Sequence, residues 1–165
     1  MQSPHILLAS SNPRKLIANL QNCLDEAELE KLEESLKANA VGLYRLGEEH
    51  YKFARGLGPS CWRQIISRSY YGAFNAARSV RLYVDGHYSA EVSGHKSAIN
   101  LPEDFPDTAT FANRIKNLRE DRNLCDYDHT IKESDLVTSR TDALDLTGGF
   151  LEHAKTFLKK KGVKL

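Results

Sequence analysis

The chain of 165 residues is poor in the features that mark several large classes of protein. It has three cysteines, Cys23, Cys61 and Cys125, far apart and odd in number. That pattern suits reduced thiols rather than a disulfide framework and points to a cytoplasmic setting. No stretch approaches the roughly 18 apolar residues of a membrane span, and the apolar opening Ile6 to Ala9 is too short for a secretory segment. Neither charge sign dominates: the net charge is +1, so no global field draws the protein onto nucleic acid or anionic lipid, and any RNA binding must be local. No segment of useful length alternates apolar and polar residues, and no internal repeat is present, which removes the usual signatures of a sheet or a solenoid.

What remains is helical. Hydrophobic residues make up 41% and charged residues 27%, ordinary for one globular domain of this length. From about Asp25 to Leu57, Leu29, Leu32, Leu36, Ala40, Leu43, Leu46, Phe53 and Leu57 recur at three- and four-residue steps. Gly56, Gly58 and Pro59 then predict a left-handed cap and a stop. A second helix, Cys61 to about Val84, carries Trp62, Ile66, Tyr70, Ala73, Ala77, Val80 and Val84 on one stripe. Small residues at Gly72, Ala73, Ala76 and Ala77 invite close approach by a neighbour, so this helix is expected at the centre. Asp85 to Asp107 reads as a long loop, with a short helical turn near Lys96 to Asn100.

A third helix is expected from Thr108 to Cys125, with Phe111, Ile115, Leu118 and then Arg122 along one side. The last helix is expected to start at Ser134 as N-cap with Asp135 in its first turn. It would bury Leu136, Ala143, Leu146, Phe150, Ala154, Phe157 and Leu158, with Lys159 to Lys161 at its negative pole. The fold class is therefore all-α, an up-down bundle of four principal helices with a long loop between the second and third. The domain is expected over residues 25–161, preceded by an extension at 1–24 and followed by a short tail at 162–165. Within the extension, Leu7 to Lys15 looks like the first strand and phosphate loop of house-cleaning nucleotide pyrophosphatases. Those are α/β proteins, and the rest of the chain supplies no strands for such a sheet.

The most informative segment is Arg122-Asn123-Leu124-Cys125-Asp126-Tyr127-Asp128-His129. On a continuous helix, residues seven apart share a face about 10 Å apart along the axis. A guanidinium grips phosphate through forked donors, and an imidazole moves protons near neutral pH, so together they suit phosphodiester chemistry. A plainer account also fits, because Arg122 and Asp126 are spaced for an ion pair along one helix. Arg114, Lys116 and Arg119 share that helix and are candidates for the RNA backbone. Tyr70, Tyr71 and Phe74 suggest a base-stacking platform, although core packing fits Tyr70 and Phe74 better. Cys125 and His129 lack a second pair at ligand spacing, so no metal site and no cofactor are expected.

The run Ser67 to Leu82, with its Tyr-Tyr-Gly-Ala-Phe-Asn-Ala-Ala core, resembles the second helix of HEPN domains. Leu118 to His129 resembles that family's motif of arginine, a polar residue and a histidine after a short spacer, here Arg122, Asn123 and His129. The resemblance spans about Asp25 to Phe157. It implies a four-helix bundle that pairs as a homodimer, with two motifs meeting at the interface. It also implies RNA cleavage without metal, by attack of the ribose 2'-hydroxyl on the adjacent phosphate. Arg122 would then bind phosphate, His129 would transfer a proton, Asn123 would orient them, and Asp126 would support the site. Two features qualify the resemblance. Relatives paired with a nucleotidyltransferase antitoxin commonly carry a tyrosine where this chain has Ile131. The Asp-Tyr-Asp at 126–128 also resembles relatives that serve a nucleotidyltransferase as a non-catalytic binding module.

Overall fold

The structure is a computed structural model and describes residues 10–87 and 100–165. Over these it is all-helical, as the periodicity predicts, with no strand among the described residues. Five α-helices follow one another: α1 Pro13–Leu20, α2 Glu26–Arg55, α3 Trp62–Asp85, α4 Thr108–Tyr127 and α5 Arg140–Lys160. Short 3-10 turns at Pro59–Cys61 and Glu133–Asp135 interrupt the links. No helix among the described residues is long and apolar enough to cross a membrane.

The start of α2 is set by a reciprocal cap. Asp25 accepts from the Glu28 amide at 2.8 Å, and the Glu28 carboxylate accepts from the Asp25 amide at 3.0 Å. Its end differs from the expected left-handed cap: Gly56 keeps a right-handed φ of -79°, and Pro59 opens the following 3-10 turn. A left-handed glycine instead terminates α3: Gly86, at φ 67°.

Helix α3 packs against every other helix and is the core of the molecule. Ile66, Tyr70, Ala73, Ala77 and Val80 are all essentially inaccessible, joined from α5 by Leu146, Phe150, Ala154 and Leu158. The small residues of α3 do what their size suggests. A Cβ on Gly47 of α2 would stand 2.8 Å from the Gly72 carbonyl oxygen, and one on Gly72 would stand 2.8 Å from Cγ2 of Thr147. The backbones of α2 and α3 thus meet at Gly47 and Gly72, the Thr147 side chain of α5 closes on Gly72 as well, and polar ties follow: Ser79 Oγ donates to the Ala40 carbonyl at 2.6 Å. This contact also sets the rotation of α2. Its buried stripe runs through Leu36, Ala40, Tyr44, Gly47 and Ala54, so Leu46 and Phe53, expected inside, are exposed.

The opening segment joins the fold as α1. Asn12 caps it by accepting from the Lys15 amide at 2.9 Å, and Pro13 occupies the first turn, where its missing N–H costs nothing. Ile17 is buried with Leu36 and Leu82 in a second, smaller apolar cluster. The residues that resemble a phosphate loop thus form a helix cap, while Met1 to Ala9 lie outside the described residues. The short turn expected near Lys96 to Asn100 also falls almost wholly outside them, and the chain re-enters at Leu101 and Phe105, both buried.

The last helix begins later than its sequence suggests. Ser139 is the N-cap, accepting from the Asp142 amide at 3.1 Å, whereas Ser134 and Asp135 sit in the 3-10 turn. The cause lies on α4. Asp121, 1% exposed, accepts from the backbone amides of Val137 at 3.0 Å and Thr138 at 2.8 Å. Those amides serve a buried carboxylate and are not free to join an advancing helix. Leu136 accordingly takes an extended conformation and packs on the core from outside α5.

Candidate functional site

The site is built where α4 stops. Asp128 leaves helical geometry at φ -107° and ψ 110°, and its carboxylate accepts from the amide and hydroxyl of Thr130 at 2.8 and 2.7 Å. Those bonds hold the Asp128 carboxyl below its ordinary range. His129 follows in this turn and is exposed. The geometry in which Arg122 and His129 share one helical face is therefore not adopted, because the helix ends two residues before the histidine.

Arg63, from the first turn of α3, fixes the same turn. Its Nη1 donates to the carbonyls of Cys125 at 2.9 Å and Asp128 at 2.7 Å, and its Nη2 to that of Ile131 at 3.0 Å. The guanidinium lies 4.8 Å from the Trp62 ring centre. One side chain thus satisfies carbonyls that the end of a helix leaves without partners, with a cation at the negative pole.

Arg122 is half-buried and densely partnered. Its Nη1 donates to Asn123 Oδ1 at 2.9 Å, its Nη2 donates to the Tyr71 hydroxyl, and its Nε stands 2.9 Å from an Asp126 carboxylate oxygen. The Nε–H is aimed off that oxygen, so the Asp126 contact is an ion pair rather than a hydrogen bond. The guanidinium also lies over the rings of Tyr71 and Tyr127, at 5.0 and 5.6 Å. Burial works against the charge, but Asp126 and the two tyrosines outweigh it and hold Arg122 firmly protonated. Arg122, Asn123 and Asp126 are therefore brought together, and the helical ion pair that the spacing allowed is present.

Beside them, a cleft of about 350 Å³ opens between α3 and the end of α4. Arg63, Gln64, Ser67, Arg68 and Tyr71 line it from α3, Cys125 and Asp126 from α4. Cys125 is largely buried, and that burial pushes its thiol up to about 11, so it is a packed thiol rather than a ready thiolate. Arg114 and Lys116 are exposed on α4 and do not line the cleft, and Arg119 is paired with Glu120 at 2.9 Å. The aromatic trio divides: Tyr70 is fully buried and Phe74 is 8% exposed, both in the core, while Tyr71 turns toward Arg122.

Three further participants, Arg63, Arg68 and His50, carry no local motif in the sequence. Arg68 Nη1 donates to Nδ1 of His50 at 3.3 Å, and the His50 ring lies 5.6 Å from that of Tyr71. Burial, with Arg68 adding to it, holds His50 below its ordinary pKa. The one signal for the arginines is spacing within α3, where Arg63, Ser67 and Tyr71 follow at four-residue steps with Gln64 and Arg68 alongside. No protein-family model matches this chain, and no curated protein or solved structure matches it.

Proposed function

We propose that the chain is a HEPN-type endoribonuclease that cuts RNA without a metal ion, working as a homodimer in which two such sites meet. The observation that carries this reading is the seating of Arg122. Its charge is held between Tyr71, Asn123 and Asp126 at the mouth of an arginine-lined cleft, and the chain unwinds directly afterwards to leave an exposed imidazole. In the reaction, the ribose 2'-oxygen attacks phosphorus and the bond from phosphorus to the 5'-oxygen breaks. A 2',3'-cyclic phosphate and a 5'-hydroxyl result. Arg122 neutralises charge on the phosphoryl oxygens, His129 takes the 2'-hydroxyl proton, and water protonates the departing 5'-oxygen. Asn123 and Asp126 orient the guanidinium. Such an enzyme suits the toxic half of a toxin–antitoxin or defence pair in the cytoplasm, restrained by a nucleotidyltransferase.

A second reading draws on the Arg122–Asp126 pair itself, at 2.9 Å. A guanidinium already occupied by a carboxylate fits a non-catalytic module that binds nucleotide or presents substrate to a nucleotidyltransferase. The two are separated by incubating purified protein with mixed RNA in chelator. The enzyme reading predicts cleavage that is lost in Arg122→Ala and His129→Ala while helicity and dimer mass persist. Intact RNA with the wild-type protein, together with its co-purification with a nucleotidyltransferase, would replace it by the second reading.

A further inference from the structure

Side chains from three helices form a continuous ladder next to the cleft. Phe53 of α2, 55% exposed, carries the Arg68 guanidinium 5.5 Å above its ring, and Arg68 in turn bonds His50. His50 lies against Tyr71, Tyr71 against Arg122, and Arg122 against Tyr127, which is 78% exposed. The His50 and Tyr71 rings thus meet at the middle of the ladder, a guanidinium flanks them on either side, and an exposed aromatic stands at each end. Among the described residues Arg68 has no carboxylate within ion-pair distance; its partners are His50 and Phe53.

We infer that this ladder is the binding track for single-stranded RNA, with unpaired bases stacking on Phe53 and Tyr127 and the intervening phosphates held by Arg68 and Arg122. The inference rests on the reading of the site as acting on RNA and specifies the substrate as unpaired. The chemistry favours that choice. Every base has a π face that an aromatic ring can stack on, and guanidinium groups between the rings meet the phosphates. A duplex keeps its bases stacked on each other and offers none to Phe53 or Tyr127. With a net charge of only +1, the protein has no general attraction for a duplex backbone to compensate. His50 accepts from Arg68 through Nδ1, which leaves Nε2 to carry the proton as a donor to the strand.

The test is equilibrium binding of a fluorescein-labelled, unstructured RNA of about twelve nucleotides, the length spanned by a typical single-strand track. The same RNA annealed to its complement serves as the duplex. The protein carries His129→Ala so that no substrate is consumed, and Phe53→Ala and Arg68→Met are added singly, both exposed positions whose substitution leaves the core intact. The expected result is preference for the single strand. Phe53→Ala should weaken its binding about 5- to 100-fold, and Arg68→Met should reduce the salt slope by about 0.7. Equal binding of duplex and single strand, or single-strand binding indifferent to both substitutions, would overturn the track. These outcomes are independent of catalysis. A wild-type protein that cuts RNA but binds without regard to Phe53 refutes the track alone, and one that binds as described yet cuts nothing refutes the nuclease alone.

Discussion

Replacing Arg63 by methionine should loosen the segment that carries His129, and the size of the effect follows from the hydrogen bonds that the guanidinium makes. Arg63 supplies three, to the carbonyls of Cys125, Asp128 and Ile131, at 2.7 to 3.0 Å. Bonds from a charged donor are worth about 1.5 to 3 kcal/mol each. Arg63 is partly exposed, so water replaces some of that, and methionine keeps an apolar stem of similar length while losing the guanidinium that lies over Trp62. Three bonds at the lower value would give about 4.5 kcal/mol; that exposure, and the sharing of one guanidinium by all three, bring the set down to about 3 kcal/mol. For a domain of this length that corresponds to a fall in Tm of roughly 6 to 12 °C. Arg63→Lys, which keeps the charge but lacks the fork, should fall between. Thermal unfolding followed by circular dichroism gives the first number, and hydrogen exchange over residues 125–131 locates the change. On the proposed nuclease reading, RNA cleavage should drop with it, because the backbone that carries His129 loses its anchor. A Tm within about 2 °C of wild type, with exchange at 125–131 unaltered, would refute the argument that Arg63 holds this turn.

The buried carboxylate of Asp121 gives a second expectation. Asp121→Ala strands the amides of Val137 and Thr138, so a loss of about 3 to 5 kcal/mol in urea unfolding is expected, with faster exchange at 136–139. Gly47→Ala sets a Cβ 2.8 Å from the Gly72 carbonyl oxygen, where backbone must move. The net cost should be about 1 to 2 kcal/mol even after the better helix propensity of alanine, measurable as a lower urea midpoint. His50 has a folded-state pKa below its ordinary 6.5, because of its burial and of Arg68, with Glu49 opposing. The stability owed to neutral His50 is therefore complete above about pH 6.5 and lost as pH falls toward the lower folded-state value. Comparing Tm at pH 5 and 7.5 should show a smaller acid loss in His50→Gln than in wild type.

Much of this architecture is readable from periodicity because α2 to α5 each bury a stripe at helical spacing. Asp25 with Glu28, and Gly72 among the small residues of α3, carry their own physical explanations in the sequence. The departures share a cause: local signals are overruled by contacts from distant elements. Ser134 and Asp135 form a plausible helix start, but Asp121 commits the next amides elsewhere, and the helix begins after Ser139, capped through the Asp142 amide. Phe53 fits an apolar stripe until Gly47, docked on Gly72, rotates that face outward. Pro13 looks like an interruption, yet after Asn12 it begins α1. At the site, Arg122, Asn123 and Asp126 are neighbours in sequence and are legible there. Arg63, Arg68 and His50 reach it from other helices, and nothing local marks such convergence.

The most direct test of the central claim is the chemistry of the cut ends. An unstructured RNA incubated with wild-type protein in chelator should yield, by mass spectrometry, 2',3'-cyclic phosphate and 5'-hydroxyl termini. A 2'-deoxy residue 5' to the scissile phosphate should abolish that cut. Products with 5'-phosphate ends, or cutting that persists at the 2'-deoxy position, would contradict a site in which Arg122 and His129 drive attack by the neighbouring hydroxyl.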